Sequence, residues 1–203
     1  SNGKVAGVDT TKGKIKTKSL GLVVAGNSSV LADKAGFRLP IESVALQALV
    51  SEPIKPCMDV VVMANTVHGY MSQSDKGEMV IGGGTDGFNN YTQRGSFHHI
   101  EETVRALIET FPMISRLKML RQWGGIVDVT GDRSPIISKT PLDGCFINCG
   151  WGTGGFKAIP GSGWAMAETM ATGIPSTLAS AFSLDRFKEG RFIDESVAAG
   201  VAH

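Results

Sequence analysis

Cys145-Phe-Ile-Asn-Cys149, followed by Gly150-Trp-Gly-Thr-Gly-Gly-Phe-Lys157 and Ala158-Ile-Pro160, is the stretch whose reading decides the fold. The first five residues are continuous and largely apolar, the pattern of a short buried strand. Four glycines follow within six positions, Gly150, Gly152, Gly154 and Gly155. With no Cβ in the way, their backbone N–H groups can approach a flat or anionic ligand closely. Pro160 suits the first turn of a helix, which predicts a helix over 161–172 closed by Gly173-Ile-Pro175. Strand, Gly-rich loop and helix in that order mark an α/β unit.

Gly150, Gly152 and Gly155 also fit G-x-G-x-x-G, the spacing of a dinucleotide-binding fingerprint. Two features argue against that reading. A helix that opens after Pro160 starts too late to place its N-terminus on a pyrophosphate. About 20 residues on, where an acidic strand end belongs, stands the breaker Gly173-Ile-Pro175. The loop then suits another flat or anionic ligand, or it is a tight crossover without one.

Working outward, the beginning of the chain has the same character. Leu20-Gly-Leu-Val-Val-Ala25 reads as a buried strand, and Asn27 or Ser28 is placed to cap a helix over 30–35 that Gly36 ends. Upstream there is only a polar hairpin, residues 4–13 turning into Lys14–Lys18, so the strand's partners come from much later or the chain is a fragment. From Leu39 to Val129 the pattern changes. Val44–Val50, Asp59–Met63, His68–Ser72 and Glu78–Ile81 are short runs separated by Pro, Gly and Asp-Lys-Gly turns, which predicts an antiparallel sheet. Ile100, Val104, Leu107, Ile108 and Phe111 share one helical face, and Leu120–Val129 returns to strand. The fold class expected is α/β (α+β). Residues 1–38 and 130–203 form one domain around a largely antiparallel second one at 39–129.

Composition narrows the classes. The net charge of +1 lacks the basic surplus of a nucleic-acid or membrane-surface protein. No apolar run reaches the roughly 18 residues of a membrane span, and no secretory signal opens the chain. Cys57, Cys145 and Cys149 are odd in number and lack zinc-pair spacing, which fits free thiols in a reducing compartment, the cytoplasm. Glycine makes up 26 of 203 residues. This is roughly twice the usual 7%, a surplus that belongs in the turns and in the loop at 150–155.

Among candidate site residues, Lys157 stands at the rim of that loop, where a cation could hold a substrate carboxylate. A solvated lysine is the plain alternative. Arg121 could clamp a phosphate or make a surface ion pair. His68 and Tyr70 alternate onto one strand face and could line a pocket or serve only structure. His98-His99 lacks the partners of a metal site, and none is expected. Trp151 and Trp164 suit packing or a pocket wall. The chain has neither a nucleophile elbow nor a Walker lysine motif.

Trp123-Gly-Gly-Ile-Val-Asp-Val-Thr130, Ser134-Pro-Ile-Ile137 and Phe146–Lys157 together resemble the C-terminal signature of the glycine/D-amino-acid oxidase type of flavoprotein. Val23–Pro40 and Ile193–His203 are similar to one branch of it, the β subunits of heterotetrameric sarcosine oxidases. The resemblance covers the C-terminal half of such a chain. It implies an FAD-binding domain of the D-amino-acid oxidase type, here partial and built from separate segments, and a substrate domain with a mixed, largely antiparallel sheet. It implies oxidative demethylation of sarcosine to glycine and formaldehyde with H2O2 produced, with FAD and FMN as cofactors and α, γ and δ subunits as partners. Lys157 matches the family's active-site lysine. Gly152, Thr153, Gly154, Gly155 and Phe156 would approach the isoalloxazine edge, and Arg121, His68 and Tyr70 would stand near the FMN. The family's N-terminal βαβ unit and FMN-linking histidine lie outside this chain, which implies that the chain alone binds FAD weakly or not at all. A glycine oxidase, a dimethylglycine dehydrogenase-like enzyme or an inactive structural domain are the competing readings.

Overall fold

A computed structural model describes residues 3–64, 66 and 69–193. The strands in chain order are β1 (Gly7–Thr10), β2 (Gly13–Lys16), β3 (Leu20–Leu22), β4 (Ile41–Pro53), β5 (Val62–Ala64), β6 (Gly69–Gln73), β7 (Glu78–Thr85), β8 (Met119–Thr130), β9 (Ile136–Lys139) and β10 (Cys145–Cys149). The helices are α1 (Ser28–Lys34), α2 (Phe97–Thr110) and α3 (Gly155–Thr172). Contacts divide the described residues into two compact units, one from 3–43 and 127–193, the other from 44–126. β4 and β8 each begin in one unit and end in the other.

In the first unit β10 is the organising strand, because all five of its residues are buried. It pairs parallel with β3, Cys145 opposite Leu20 and Ile147 opposite Leu22, and antiparallel with β9. The apolar run at Leu20 thus finds its partner in the last third of the chain. Side chains of β10 alternate between two cores. Cys145, Ile147 and Cys149 join Leu22, Ala32, Phe37, Ile136 and Leu184, while Phe146 joins Ile137, Ala165, Met166 and Ala179. The sheet is therefore covered by α1 on one face and α3 on the other. β1 and β2 form the expected antiparallel hairpin.

α1 corrects the expected start. A 3-10 turn, Ala25–Asn27, runs directly into it, and neither Asn27 nor Ser28 caps it. Asn27 sits at φ −94°, ψ 5° rather than in the extended geometry of a cap, and Ser28 Oγ donates back to the Ala25 carbonyl at 2.6 Å. The helix end is as expected. Gly36, at φ +89°, donates to Asp33, and Phe37 donates to Ala32, the two bonds of a Schellman turn.

The second unit is a five-stranded sheet in the order β5-β6-β7-β4-β8, with antiparallel pairing from β5 through β4. α2 lies on one face. Its Leu107 is fully buried with Leu49, Met71, Met79, Ile81 and Ile114, and Ile100, Val104, Ile108 and Phe111 pack around them. The five-residue apolar stripe seen in the sequence is the buried face, although the helix begins three residues before Ile100.

Candidate functional site

The Gly-rich loop leaves the C-terminal end of β10, and its backbone is special at the first two glycines. Gly150 has φ +75° and Gly152 has φ +52°. A Cβ on Gly150 would lie 2.7 Å from Thr130 Cγ2, so both conformation and space demand glycine there. α3 then starts at Gly155, with Gly154 as its cap residue, and Pro160 lies inside it. This corrects the expected opening after Pro160. A proline that can begin a helix is tolerated here within one, at the cost of the hydrogen bond to the Phe156 carbonyl. The N–H groups of Gly155, Phe156 and Lys157 therefore point out of the first turn, beside the loop, with no carbonyl four residues back to accept them. The timing objection to an anionic or acceptor-rich ligand at this end is gone.

Beneath the loop lies Asp128, on β8 and only 2% exposed. Its Oδ2 accepts the Gly150 N–H at 2.5 Å, and its main-chain carbonyl accepts the Gly152 N–H at 2.8 Å. Burial pushes the Asp128 carboxyl upward, while the N–H groups of Gly150 and Trp151 pull it the other way. Burial also raises the adjacent Cys149 thiol to about 12, with the Asp128 charge adding to the effect. That thiol is a packing group. Trp151 is tied down separately, its indole N–H donating to Asn148 Oδ1 at 2.6 Å.

Gly152, Thr153, Gly154, Gly155, Phe156 and Lys157 are consecutive and run from the loop into the first turn of α3. Lys157 and Thr153 are exposed, and Phe156 is 89% exposed. Such a phenyl ring on a helix's first turn is an unfilled apolar contact. Arg121 and Tyr70 belong to the other unit and are not brought together. Three strand spacings separate β6 from β8, about 14 Å at 4.8 Å each. Tyr70 alternates with Met71, which packs under α2, so its ring is on the opposite face, lying across Gly82. Burial raises the Tyr70 hydroxyl. Arg121 lines an open groove of about 810 Å³ beside α2, with Phe97, Ile100, Val104 and Leu120 among its walls. His68 lies outside the described residues. Among the described residues no three His, Cys, Asp or Glu side chains group to hold a metal, and His99 instead meets the Gly83 carbonyl at 2.9 Å. No helix of the described residues is long and apolar enough to cross a membrane.

Asp128 was not among the candidate site residues in the sequence. The one signal for it was Val127-Asp-Val-Thr130, where apolar and polar residues alternate.

Residues 1–169 match the family described as FAD dependent oxidoreductase. The chain is 79% identical over 201 residues to a protein named sarcosine oxidase subunit beta from Rhodobacter capsulatus, covering 99% of this chain and 48% of that one. It is 54% identical to the protein of the same name from an Arthrobacter species, covering 98% and 49%. The chain thus spans about half the length of the curated relatives it matches. Among solved structures, L-proline dehydrogenase from P. horikoshii superposes with a TM-score of 0.83 at 26% identity, over 94% of this chain and 52% of that one. Glycine oxidase from Geobacillus kaustophilus shares the fold, with a TM-score of 0.76 at 19% identity over 89% and 48%.

Proposed function

The chain belongs to the FAD dependent oxidoreductase family, and on that premise we propose that it is one half of the β subunit of a sarcosine oxidase. The observation that carries the proposal is the 79% identity, over 99% of this chain, to a subunit of that name. The reaction is sarcosine, O2 and water giving glycine, formaldehyde and H2O2. The other subunits α, γ and δ complete the enzyme, which is expected to be cytoplasmic.

The donor set at the β10–α3 junction fits a flavin. The first-turn N–H groups of Gly155, Phe156 and Lys157 are hydrogen-bond donors that suit the carbonyl and nitrogen acceptors at one edge of an isoalloxazine ring. When bound, FAD supplies the two-electron acceptor for amine oxidation. The chain's own part is to bind and orient. Lys157, a compact cation on a fixed helical turn, holds the substrate carboxylate, which leaves the N-methyl end as the only free end of a molecule this small. Thr153 and Gly154 bring the backbone close to the ring. Phe156 covers it with apolar surface and excludes water. FMN is the second flavin of this reading, with its attachment point outside the chain. Tyr70 and Arg121 are separate candidates to contact it, since they occupy opposite faces of one sheet.

In the complete enzyme, Lys157→Met is expected to lower kcat/KM for sarcosine by about 10- to 100-fold, as expected for loss of a charge-paired contact. Unchanged turnover would remove Lys157 from the site and leave the loop as packing. A panel of glycine, sarcosine and dimethylglycine, assayed with the unmodified enzyme, identifies the preferred amine directly.

A further inference from the structure

Asp128 has a buried carboxylate that forms no ion pair among the described residues, and what it touches explains its position. The Gly150 N–H meets its Oδ2 at 2.5 Å and the Gly152 N–H meets its main-chain carbonyl at 2.8 Å. The Trp151 N–H, between them, favours its charged form. Three consecutive N–H groups therefore converge on one residue. Consecutive N–H groups with a left-handed residue among them form a concavity that binds anions, and here φ is +75° at Gly150 and +52° at Gly152. That concavity is filled from within. The next N–H that turns inward, that of Gly154, goes to the Trp151 carbonyl at 3.0 Å. An external ligand is left with the far half of the loop and the first turn of α3.

We infer that Asp128 is a positioning residue, whose carboxylate fills the nest at 150–152 and so fixes the direction in which Thr153–Lys157 face flavin and substrate. The inference rests on the reading of this loop as the flavin- and substrate-facing one. Asp128 itself touches neither. It acts through the loop, as a peg that sets where Lys157 stands. The main-chain carbonyl of residue 128 accepts the Gly152 N–H whatever the side chain; what the carboxylate adds is two acceptor oxygens with no proton of their own to place, and a negative charge in the nest.

The test uses the complete enzyme, with its full-length β chain and partner subunits, carrying Asp128→Asn or Asp128→Leu. Asparagine keeps one oxygen acceptor for the Gly150 N–H, whereas leucine has similar volume and no acceptor. The expected result for Asp128→Asn is retained flavin, a visible flavin band within a few nanometres of wild type, and a sarcosine KM raised about tenfold with kcat changed less than about threefold. For Asp128→Leu, a shifted flavin band and a larger rise in KM are expected. Wild-type KM and band position in Asp128→Asn, with Asp128→Leu either the same or unfolded, would overturn the inference. So would a parallel fall of Tm, flavin content and kcat in Asp128→Asn with KM unchanged, which is the mark of a merely structural residue. If the unmodified enzyme holds flavin but does not oxidise sarcosine, the functional reading fails by itself. The band positions then still decide the role of Asp128.

Discussion

Arg186 and Asp132 are 1% and 2% exposed, and they form the most buried ion pair among the described residues. The guanidinium donates to both carboxylate oxygens, at 2.8 and 2.9 Å, and to the Ser134 and Ser183 carbonyls. Burial alone would raise the Asp132 carboxyl. The Arg186 bonds and the N–H groups of Ile193 and Ser134 outweigh it and hold the carboxyl at about 2. Because the folded value lies below the ordinary 3.8, the ionised pair stabilises the fold above that ordinary value. The contribution, on the order of 2 kcal/mol, is lost as pH falls towards 2. Acid unfolding should therefore steepen between pH 4 and 2, and an Asp132→Asn variant should show a flatter profile across that window. Arg186→Leu should cost about 3–5 kcal/mol at neutral pH, since it strands a buried carboxylate. Thermal melts of both variants across pH provide the check, and a wild-type slope in Asp132→Asn would refute the assignment.

α3 shows the same physics at the level of an element. Pro160 sits on its exposed side and removes one backbone bond in the second turn. Pro160→Ala restores that bond and should stabilise the fold by about 1–3 kcal/mol, read as a higher Tm. A lower Tm would mean that the pyrrolidine ring packs against something the first turn needs. This element was also where reading from sequence stopped short. Proline is so much commoner at a helix start than inside one that the five helical residues before it, 155–159, read as loop. β9 was not anticipated, because Ser134-Pro135 precedes only four strand residues and their pairing is supplied by β10. α2 and the runs of the antiparallel sheet were legible, because their apolar spacing was long enough to fix a period. The loop at 150–155 was legible by composition alone. Asp128 was not, since Val127 and Val129 are the half-exposed residues there while Asp128 and Thr130 are buried, the one held by the Gly150 N–H and the other by the Ser134 carbonyl.

For the whole molecule the family assignment makes cofactor retention the informative measurement. This 203-residue chain, purified alone and desalted, is expected to lose FAD absorbance, while co-expression with the remainder of a full-length relative should restore it. Flavin retained by the chain alone would show that the β10–α3 junction suffices for binding. The order of the strands along the chain has a consequence for how the molecule is made. β3 pairs only with β10 among the described strands, and Leu20 and Cys145 stand 125 positions apart, the difference of their residue numbers. At the usual pace of synthesis, about 5–20 residues per second, the ribosome adds β10 roughly 6–25 seconds after it has added the residues of β3. Throughout that interval Leu20-Gly-Leu22 is an apolar segment without its partner, while the antiparallel sheet between them can already close on α2. A chaperone that shields a short apolar strand would be most useful to this protein during that wait, before residue 149 has emerged.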